Sequence, residues 1–217
     1  MQTDPIQLAD NELPLIPLNV VLFPGGYLPL HIFEQRYREL VKYCIRNESS
    51  FGIVMIKEGD EVGDTATPCK VGTTVDLVDV NRFPDGRMNI MTTGRSRFEI
   101  LEVEEDLPYL VARVRMLDSL NDTDNAELDD VFSKTREIYI EYETLSNCLM
   151  FTWRPPSEIP ETPNELAFQI GTRLRISLEA KQELLEIATI DELLKREIEI
   201  LKELNKQIAF RLAARNN

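Results

Sequence analysis

Residues 28–40 read LPLHIFEQRYREL and contain the only histidine of the chain. His31, Glu34, Arg36 and Arg38 follow one another where an apolar run meets the start of a predicted helix. A histidine, a carboxylate and two guanidinium groups could form a catalytic site, or they could stabilise the junction of strand and helix through capping and ion pairs. We expect the structural role, and we interpret these four residues as a fold signature.

The sequence after this junction predicts an amphipathic helix over residues 34–47. Apolar side chains recur there at intervals of three and four residues, which places them on one helix face. They are Tyr37, Leu40, Val41, Cys44 and Ile45. Glu34 is expected in the first turn, where a carboxylate is favoured by the partial positive charge of the helix end.

On either side of this helix, residues 13–118 contain short apolar runs that are separated by proline and glycine, a pattern typical of short β-strands. The predicted strands are residues 15–23, 51–56, 73–80, 88–93, 97–103 and 109–117. A turn at Pro84-Asp85-Gly86 separates the third from the fourth. Five or more short strands at this spacing favour a small barrel or a folded sheet over a parallel sheet.

After residue 118 the apolar spacing becomes helical. The predicted helices are residues 125–149 with Asp124 as the N-cap, residues 164–176, a segment after Ser177, and a last helix opened by a capping box at Thr189–Glu192. The fold class is therefore α+β, with a β-rich part at 12–118 and a helical part at 119–217.

The last predicted helix carries apolar residues in alternating steps of four and three, as a coiled-coil seam does. They are Leu194, Ile198, Leu201, Ile208 and Leu212, with Asn205 in the middle of the series. We expect most of this helix to pack on the helix at 125–149. We also expect residues 205–215 to project, which predicts a monomer with a weak tendency to form homodimers.

Charge and composition restrict the partners and the compartment. The net charge is −14, and residues 99–130 hold eleven acidic against two basic side chains. Such a field repels phosphate backbones and anionic lipid, so we expect neither nucleic acid nor a membrane as a partner. The N-terminus lacks the features of a secretory signal, and the three cysteines are odd in number, so we expect free thiols in the cytoplasm or an organellar stroma.

The sequence contains no recognisable catalytic or metal motif. None of the nine glycines precedes a lysine, which excludes a P-loop, and a single histidine excludes H-E-x-x-H. We expect no cofactor and no metal, and we interpret the acidic runs at 102–106 and 118–130 as solvated faces. A pair of His31 with Cys44 or Cys69 stays open as a nucleophilic site, and Trp153 is either a buried anchor or a surface for a partner.

The chain resembles the N-terminal substrate-binding domain of Lon proteases in several blocks. These are LPLIPLNVVLFPGGYLPLHIFEQRYRELV, FGIVMI, GTTVDLVDV and TTGRSRFEILEVEEDLPYLVARVRML. A later block, PNELAFQIGTRLRISLEAKQELLEIATIDELLKREIEIL, is similar to the helical subdomain that follows in that family. The resemblance covers roughly residues 12–205 and implies a PUA-like β-barrel subdomain followed by an α-helical bundle.

The resemblance also implies a function. Lon proteases continue into a coiled coil, an ATPase module and a Ser–Lys protease domain, whereas this chain ends at Asn217, so we expect a stand-alone, non-enzymatic domain. Its implied partners are unfolded or exposed polypeptide segments, together with a protease or chaperone, in an adaptor or chaperone-like role. Phe23, Tyr27, Phe33 and Tyr37 are the candidate peptide contacts, unless they fill the core.

Two other functions stay open at this point. PUA-like barrels include RNA-binding members, so the resemblance allows an RNA-binding protein, although the negative charge disfavours it. A hydrolase with an unrecognised site is the other alternative, and it would need His31 beside a nucleophile in a cleft.

Overall fold

The computed structural model describes residues 11–60, 66–104, 108–117, 120, 126–150 and 158–215. The chain divides into two compact units, the first comprising Met1–Asp118 with Ile176–Leu185 and the second Ser119–Arg175 with Glu186–Asn217. In the sequence prediction, all of 119–217 formed one helical part. The structure instead assigns residues 176–185 to the first unit. Trp153 and the predicted cap Asp124 lie outside the described residues, as do parts of both acidic runs.

The first unit contains a six-stranded sheet. Its strands are β1 (Glu12–Leu18), β2 (Tyr27–Ile32), β3 (Phe51–Glu58), β4 (Thr67–Arg82), β5 (Met88–Glu104) and β6 (Val111–Met116). The strand order is β2-β5-β4-β3-β1-β6, and β5 also pairs with β6. That extra pairing closes β5, β4, β3, β1 and β6 into a ring, so the predicted barrel is confirmed, with β2 attached outside the ring.

Strand β5 belongs to the barrel and also pairs with β2 outside it. Its first residues pair with β2, from Tyr27 opposite Thr93 to Ile32 opposite Met88. Its last residues pair with β6, from Phe98 opposite Met116 onward. The two short strands predicted at 88–93 and 97–103 are therefore one continuous strand, because residues 94–96 stay extended between them.

Helix α1 (Gln35–Asn47) buries its predicted face, with Tyr37, Leu40, Val41 and Cys44 in the core of the first unit. The prediction that Glu34 lies in the first turn is wrong. Glu34 is the N-cap residue with extended backbone, and its side chain makes no capping hydrogen bond. Instead Glu34 forms an ion pair with Arg36, with 3.0 Å between carboxylate oxygen and guanidinium nitrogen.

Helix α4 (Leu178–Glu186) is held to the barrel by two buried side chains, which accounts for its place in the first unit. Gln182 Nε2 donates a hydrogen bond to the carbonyl oxygen of Val71 at 3.0 Å. Arg97, buried on β5, donates from Nη1 to the carbonyl oxygen of Leu185 at 2.7 Å. The helical periodicity of the sequence identifies α4 as a helix. The same periodicity does not predict the hydrogen bonds between α4 and the barrel strands.

The second unit contains α2 (Ala126–Met150), α3 (Pro163–Arg173) and α5 (Ile190–Arg215). Helices α2 and α5 run in the same direction, as three contacts along them show. Near the start of both helices, Lys195 Nζ lies 3.1 Å from a carboxylate oxygen of Glu127. Farther along, Asn205 Nδ2 donates a hydrogen bond to the carbonyl oxygen of Ile138 at 3.3 Å. Near the end, Arg215 Nη1 donates a hydrogen bond to the carbonyl oxygen of Leu149 at 3.2 Å. The predicted packing of the last helix on α2 is therefore confirmed.

The same contacts contradict the expectation that residues 205–215 project. Asn205 is buried and also donates to a carboxylate oxygen of Glu141 at 3.0 Å, and Ile208 is buried in the same unit. Asn205 bonds to a helix of its own chain instead of to a second copy. Homodimer formation stays a prediction, but a projecting helix end no longer supports it. A separate property concerns membranes: among the described residues, none of the helices combines the length and the apolar composition that a membrane span requires.

Candidate functional site

Strand β2 presents one side to the core and the other to solvent. Leu28 and Leu30 are half-buried against the hydrophobic core and Ile32 is buried within it. The alternate residues, Tyr27, Pro29 and His31, are exposed, as expected for a strand with one covered face. Among the described strands β2 pairs only with β5, so its other edge carries no strand.

The four aromatic candidates divide equally between core and surface. Phe23 is 0 % exposed and Tyr37 is 6 % exposed, so neither side chain can reach a partner in this conformation. Tyr27 and Phe33 are 70 % and 52 % exposed, and they lie at the two ends of β2. The structure therefore retains Tyr27 and Phe33 as candidate contacts and corrects the expectation for Phe23 and Tyr37.

The register of the sheet places further side chains beside β2. Pro29 is opposite Met91, which is opposite Asp79, and His31 is opposite Asn89, which is opposite Asn81. These residues line a shallow depression of about 450 Å³ on β2, β5 and β4. We call the outward surface made by this depression, Tyr27 and Phe33 the β2 face.

His31 is fixed within the β2 face by its neighbours. Its Nδ1 atom lies 2.6 Å from Oδ1 of Asn89 on the adjacent strand. Its ring stacks with Phe33 at 6.0 Å between centroids and meets Phe83 edge-on at 6.2 Å. The His31 side chain therefore connects the Asn89 amide with the aromatic part of the β2 face.

The charged residues of the signature lie beyond β2 and support the junction with α1. Besides its ion pair with Glu34, Arg36 places its guanidinium carbon 4.5 Å from the centre of the Tyr37 ring, a cation–π contact. Arg38 packs against Gly86, where a Cβ atom would meet its guanidinium group. Gly86 has φ +84°, which glycine adopts without strain, so the Phe83–Gly86 turn leaves room for Arg38.

The geometry gives no support to a catalytic use of His31. Its described contacts are Asn89, Phe33 and Phe83, and none of them is a nucleophile. Cys44 is buried, and burial raises the pKa of its thiol to about 11, which keeps it protonated near neutral pH. No group of three potential metal ligands occurs among the residues that the structure describes.

Sequence reasoning missed Asp79 and Met91 as part of this surface. The pairing of β4 with β5 shifts register between Leu77 and Asp79, directly before the residue that lines the depression. These residues lie about 50 to 60 positions after β2 in the chain, and only strand pairing brings them to it. An irregular register in β4 leaves no periodic signal in a single sequence, so this part of the site was not predictable.

Comparison with known proteins identifies the family of this fold. The model of the ATP-dependent protease La (LON) substrate-binding domain matches residues 12–203. The Lon protease of Anaeromyxobacter dehalogenans is 30 % identical over 203 residues, covering 89 % of this chain and 24 % of that protein. Lon protease 2 of Myxococcus xanthus is 29 % identical over 203 residues, with the same two coverages. The chain thus spans about a quarter of the length of these relatives.

Two solved structures share the fold. A Lon N-terminal domain protein from Xanthomonas campestris is 24 % identical, with a TM-score of 0.63 over 85 % of this chain and 95 % of that one. The N-terminal domain of a Lon protease from the Mycobacterium avium complex is 16 % identical, with a TM-score of 0.65 over 88 % of this chain and 98 % of that one. The α+β fold predicted from the resemblance is therefore confirmed, and this chain belongs to the LON substrate-binding domain family.

Proposed function

We propose that this chain binds exposed polypeptide segments on the β2 face without cleaving them. The observation that carries the proposal is the pair of exposed aromatic side chains, Tyr27 and Phe33, beside a depression on the sheet. Exposed apolar surface of this kind is typical of protein interaction sites. Membership in a substrate-binding family supports a polypeptide as the occupant.

The composition of the β2 face favours a segment with apolar and basic side chains. Asp79 lines the depression and forms no hydrogen bond or ion pair with the residues that the structure describes. Its carboxylate is therefore available to pair with a lysine or arginine of the partner. Pro29 has no N–H group, so it disfavours the addition of a further strand to β2. The partner is therefore expected to lie across the face and to contact side chains.

The test is a binding titration with amidated, fluorescently labelled peptides rich in leucine and phenylalanine that contain either lysine or glutamate. The full chain should bind the lysine peptide more tightly. Replacing Tyr27 and Phe33 together by serine should weaken binding roughly tenfold, because each substitution removes an aromatic ring that contacts the peptide. The control is Leu101→Ser, which removes a side chain that is also 52 % exposed but lies on the β6-paired part of β5. Equal affinity of the double variant and the unaltered chain would refute the proposal.

A finer part of the proposal concerns what happens to a bound segment. We propose an adaptor or chaperone-like role, in which the chain presents a client to a protease or chaperone. The client should remain intact during incubation with this chain alone, as checked by mass spectrometry. Cleavage that follows the protein through repurification would contradict the non-enzymatic role.

A further inference from the structure

A second concave surface lies within the second unit, along the C-terminal halves of α2 and α5. It has a volume of about 210 Å³. Its described lining residues are Tyr142, Ser146, Leu149, Arg175, Leu204, Gln207, Ile208 and Arg211. We call it the α2–α5 groove. Neither the fold signature nor the β2 face uses it.

The lining of the α2–α5 groove is apolar with a cationic rim. Leu149, Leu204 and Ile208 supply the apolar part. Arg175 and Arg211 are the charged members, and no carboxylate lines the groove among the described residues. Neither arginine forms a hydrogen bond or ion pair with a described residue.

The local charge contrasts with that of the whole chain. Residues 204–215 contain Lys206, Arg211 and Arg215 and no acidic residue, whereas the chain carries −14. Arg215 already binds the Leu149 carbonyl oxygen near the end of α2. The two arginines that line the groove, Arg175 and Arg211, are therefore available to bind an anion. A planar guanidinium group pairs well with a carboxylate.

We propose that the α2–α5 groove binds the C-terminal residue of a polypeptide, with the α-carboxylate on Arg175 and Arg211 and an apolar side chain against Leu204 and Ile208. Size supports one residue as the occupant, because pockets for larger organic ligands measure roughly 300–1,000 Å³. The inference rests on the proposed function, since it assumes that the chain binds polypeptides. It adds a chemically distinct second site, selective for a free chain end.

The experiment uses a pair of labelled peptides that end in leucine and differ only at the C-terminus, one a free acid and the other an amide. Their bodies contain glycine and serine, so that they offer nothing to the aromatic β2 face. The full chain should bind the acid about tenfold more tightly than the amide, as expected for charge-assisted hydrogen bonds at an accessible site. The double variant Arg175→Gln/Arg211→Gln should lose that preference.

The matched control is Arg136→Gln, which alters an exposed arginine of α2 that does not line the groove. This variant should keep the full preference for the acid, and melting curves should show all variants folded. Equal affinity for acid and amide overturns the inference, as does a preference that survives in the double variant. Tighter binding of decanoate than of the peptide acid also overturns it, by assigning the groove to a fatty acid.

The two proposals fail in distinguishable ways. If the amidated lysine peptide binds through Tyr27 and Phe33 while the acid and amide pair shows no difference, only the groove inference is wrong. If the acid is preferred and that preference depends on Arg175 and Arg211, but Tyr27 and Phe33 have no effect on any peptide, the β2 face is wrong and the groove stands. If no peptide binds, both are wrong.

Discussion

Glu197 lies fully buried on α5, and neither carboxylate oxygen has a hydrogen-bond partner within the described structure. Burial raises the pKa of this carboxyl well above its ordinary value of 4.5, because desolvation disfavours the charged form. From about pH 4.5 up to the raised pKa, the folded chain keeps a proton that the unfolded chain has released. The free energy of unfolding therefore falls as pH rises through this window.

We predict that Glu197→Met stabilises the protein at pH 7 by about 1–3 kcal/mol, because it removes a buried group without partners. The variant should also lose part of the decline in stability between pH 5 and pH 7, as measured by denaturant titration at about five pH values. Glu199→Met is the control, since Glu199 is exposed on the same helix. A destabilised Glu197→Met chain would instead indicate that the carboxylate has a required partner.

The interior of the barrel is filled around Phe98, which is fully buried. A Cβ atom on Gly52 would lie 2.5 Å from Leu15 Cδ2 and 2.7 Å from Phe98 Cζ. A Cβ atom on Gly72 would lie 2.6 Å from both Phe98 Cζ and the carbonyl oxygen of Ile53. The first conflict involves side chains alone, whereas the second also involves backbone, which cannot move aside as easily.

We predict that Gly52→Ala and Gly72→Ala each destabilise the barrel by about 1–3 kcal/mol through overpacking. Adding Phe98→Leu should recover more stability in the Gly52→Ala chain than in the Gly72→Ala chain. Thermal unfolding of the three single and two double variants measures this difference as a coupling free energy. Equal recovery in both would show that the backbone of β3 adjusts to the added methyl group.

At the scale of secondary-structure elements, local periodicity predicted the helices more fully than the strands. The apolar stripe of α1 and the capping residue Thr189 place two helices within a residue or two of their observed starts, because both signals lie within a few positions. Strand β2, by contrast, contains Pro29, which weakens the strand signal, and the sequence pattern there indicates only an apolar run before a helix. Its role depends on pairing with Met88–Thr93, which is a contact between distant segments.

Helix α5 gives a further prediction at this scale. Asn205, Ile208 and Arg215 all contribute to its packing or hydrogen bonding in the second unit. Removing residues 205–217 should therefore lower the free energy of unfolding by roughly 2–4 kcal/mol, mainly through loss of the buried Ile208 side chain. Sedimentation should give the same oligomeric state for both chains. A truncated chain of unchanged stability but lower association would restore the dimer hypothesis.

At the scale of the whole molecule, the sequence predicts the fold class and the family but only half of the candidate aromatic contacts. Tyr27 and Phe33 are exposed as a contact surface requires, while Phe23 and Tyr37 fill the core. Aromatic side chains suit a core as well as an interface, so residue type alone does not separate the two. The boundary between the units could not be fully predicted either, because α4 joins the barrel through Arg97 and Gln182, two polar side chains with no periodic pattern.

Charge at this scale favours polypeptide binding over RNA binding. The first unit carries 13 basic and 21 acidic residues, a net charge of −8, and the second carries 11 and 17, a net charge of −6. Each unit alone therefore repels a phosphate backbone, and a protein that binds RNA chiefly through phosphates needs the opposite field. The basic residues of 204–215 are three in number, fewer than the six to ten phosphate contacts that give strong binding.

We predict that single-stranded RNA does not bind measurably at about 200 mM salt and binds no more than weakly at about 50 mM, where phosphate contacts are strongest. Fluorescence anisotropy with a labelled oligouridine measures this, and the amidated lysine peptide in the same buffer serves as the positive control. A polypeptide partner with basic side chains should also bind less tightly as salt rises, because it meets the field that excludes RNA. Saturable RNA binding in the micromolar range at the higher salt concentration would show that a local surface overcomes the net charge of its unit, and would restore the RNA-binding alternative.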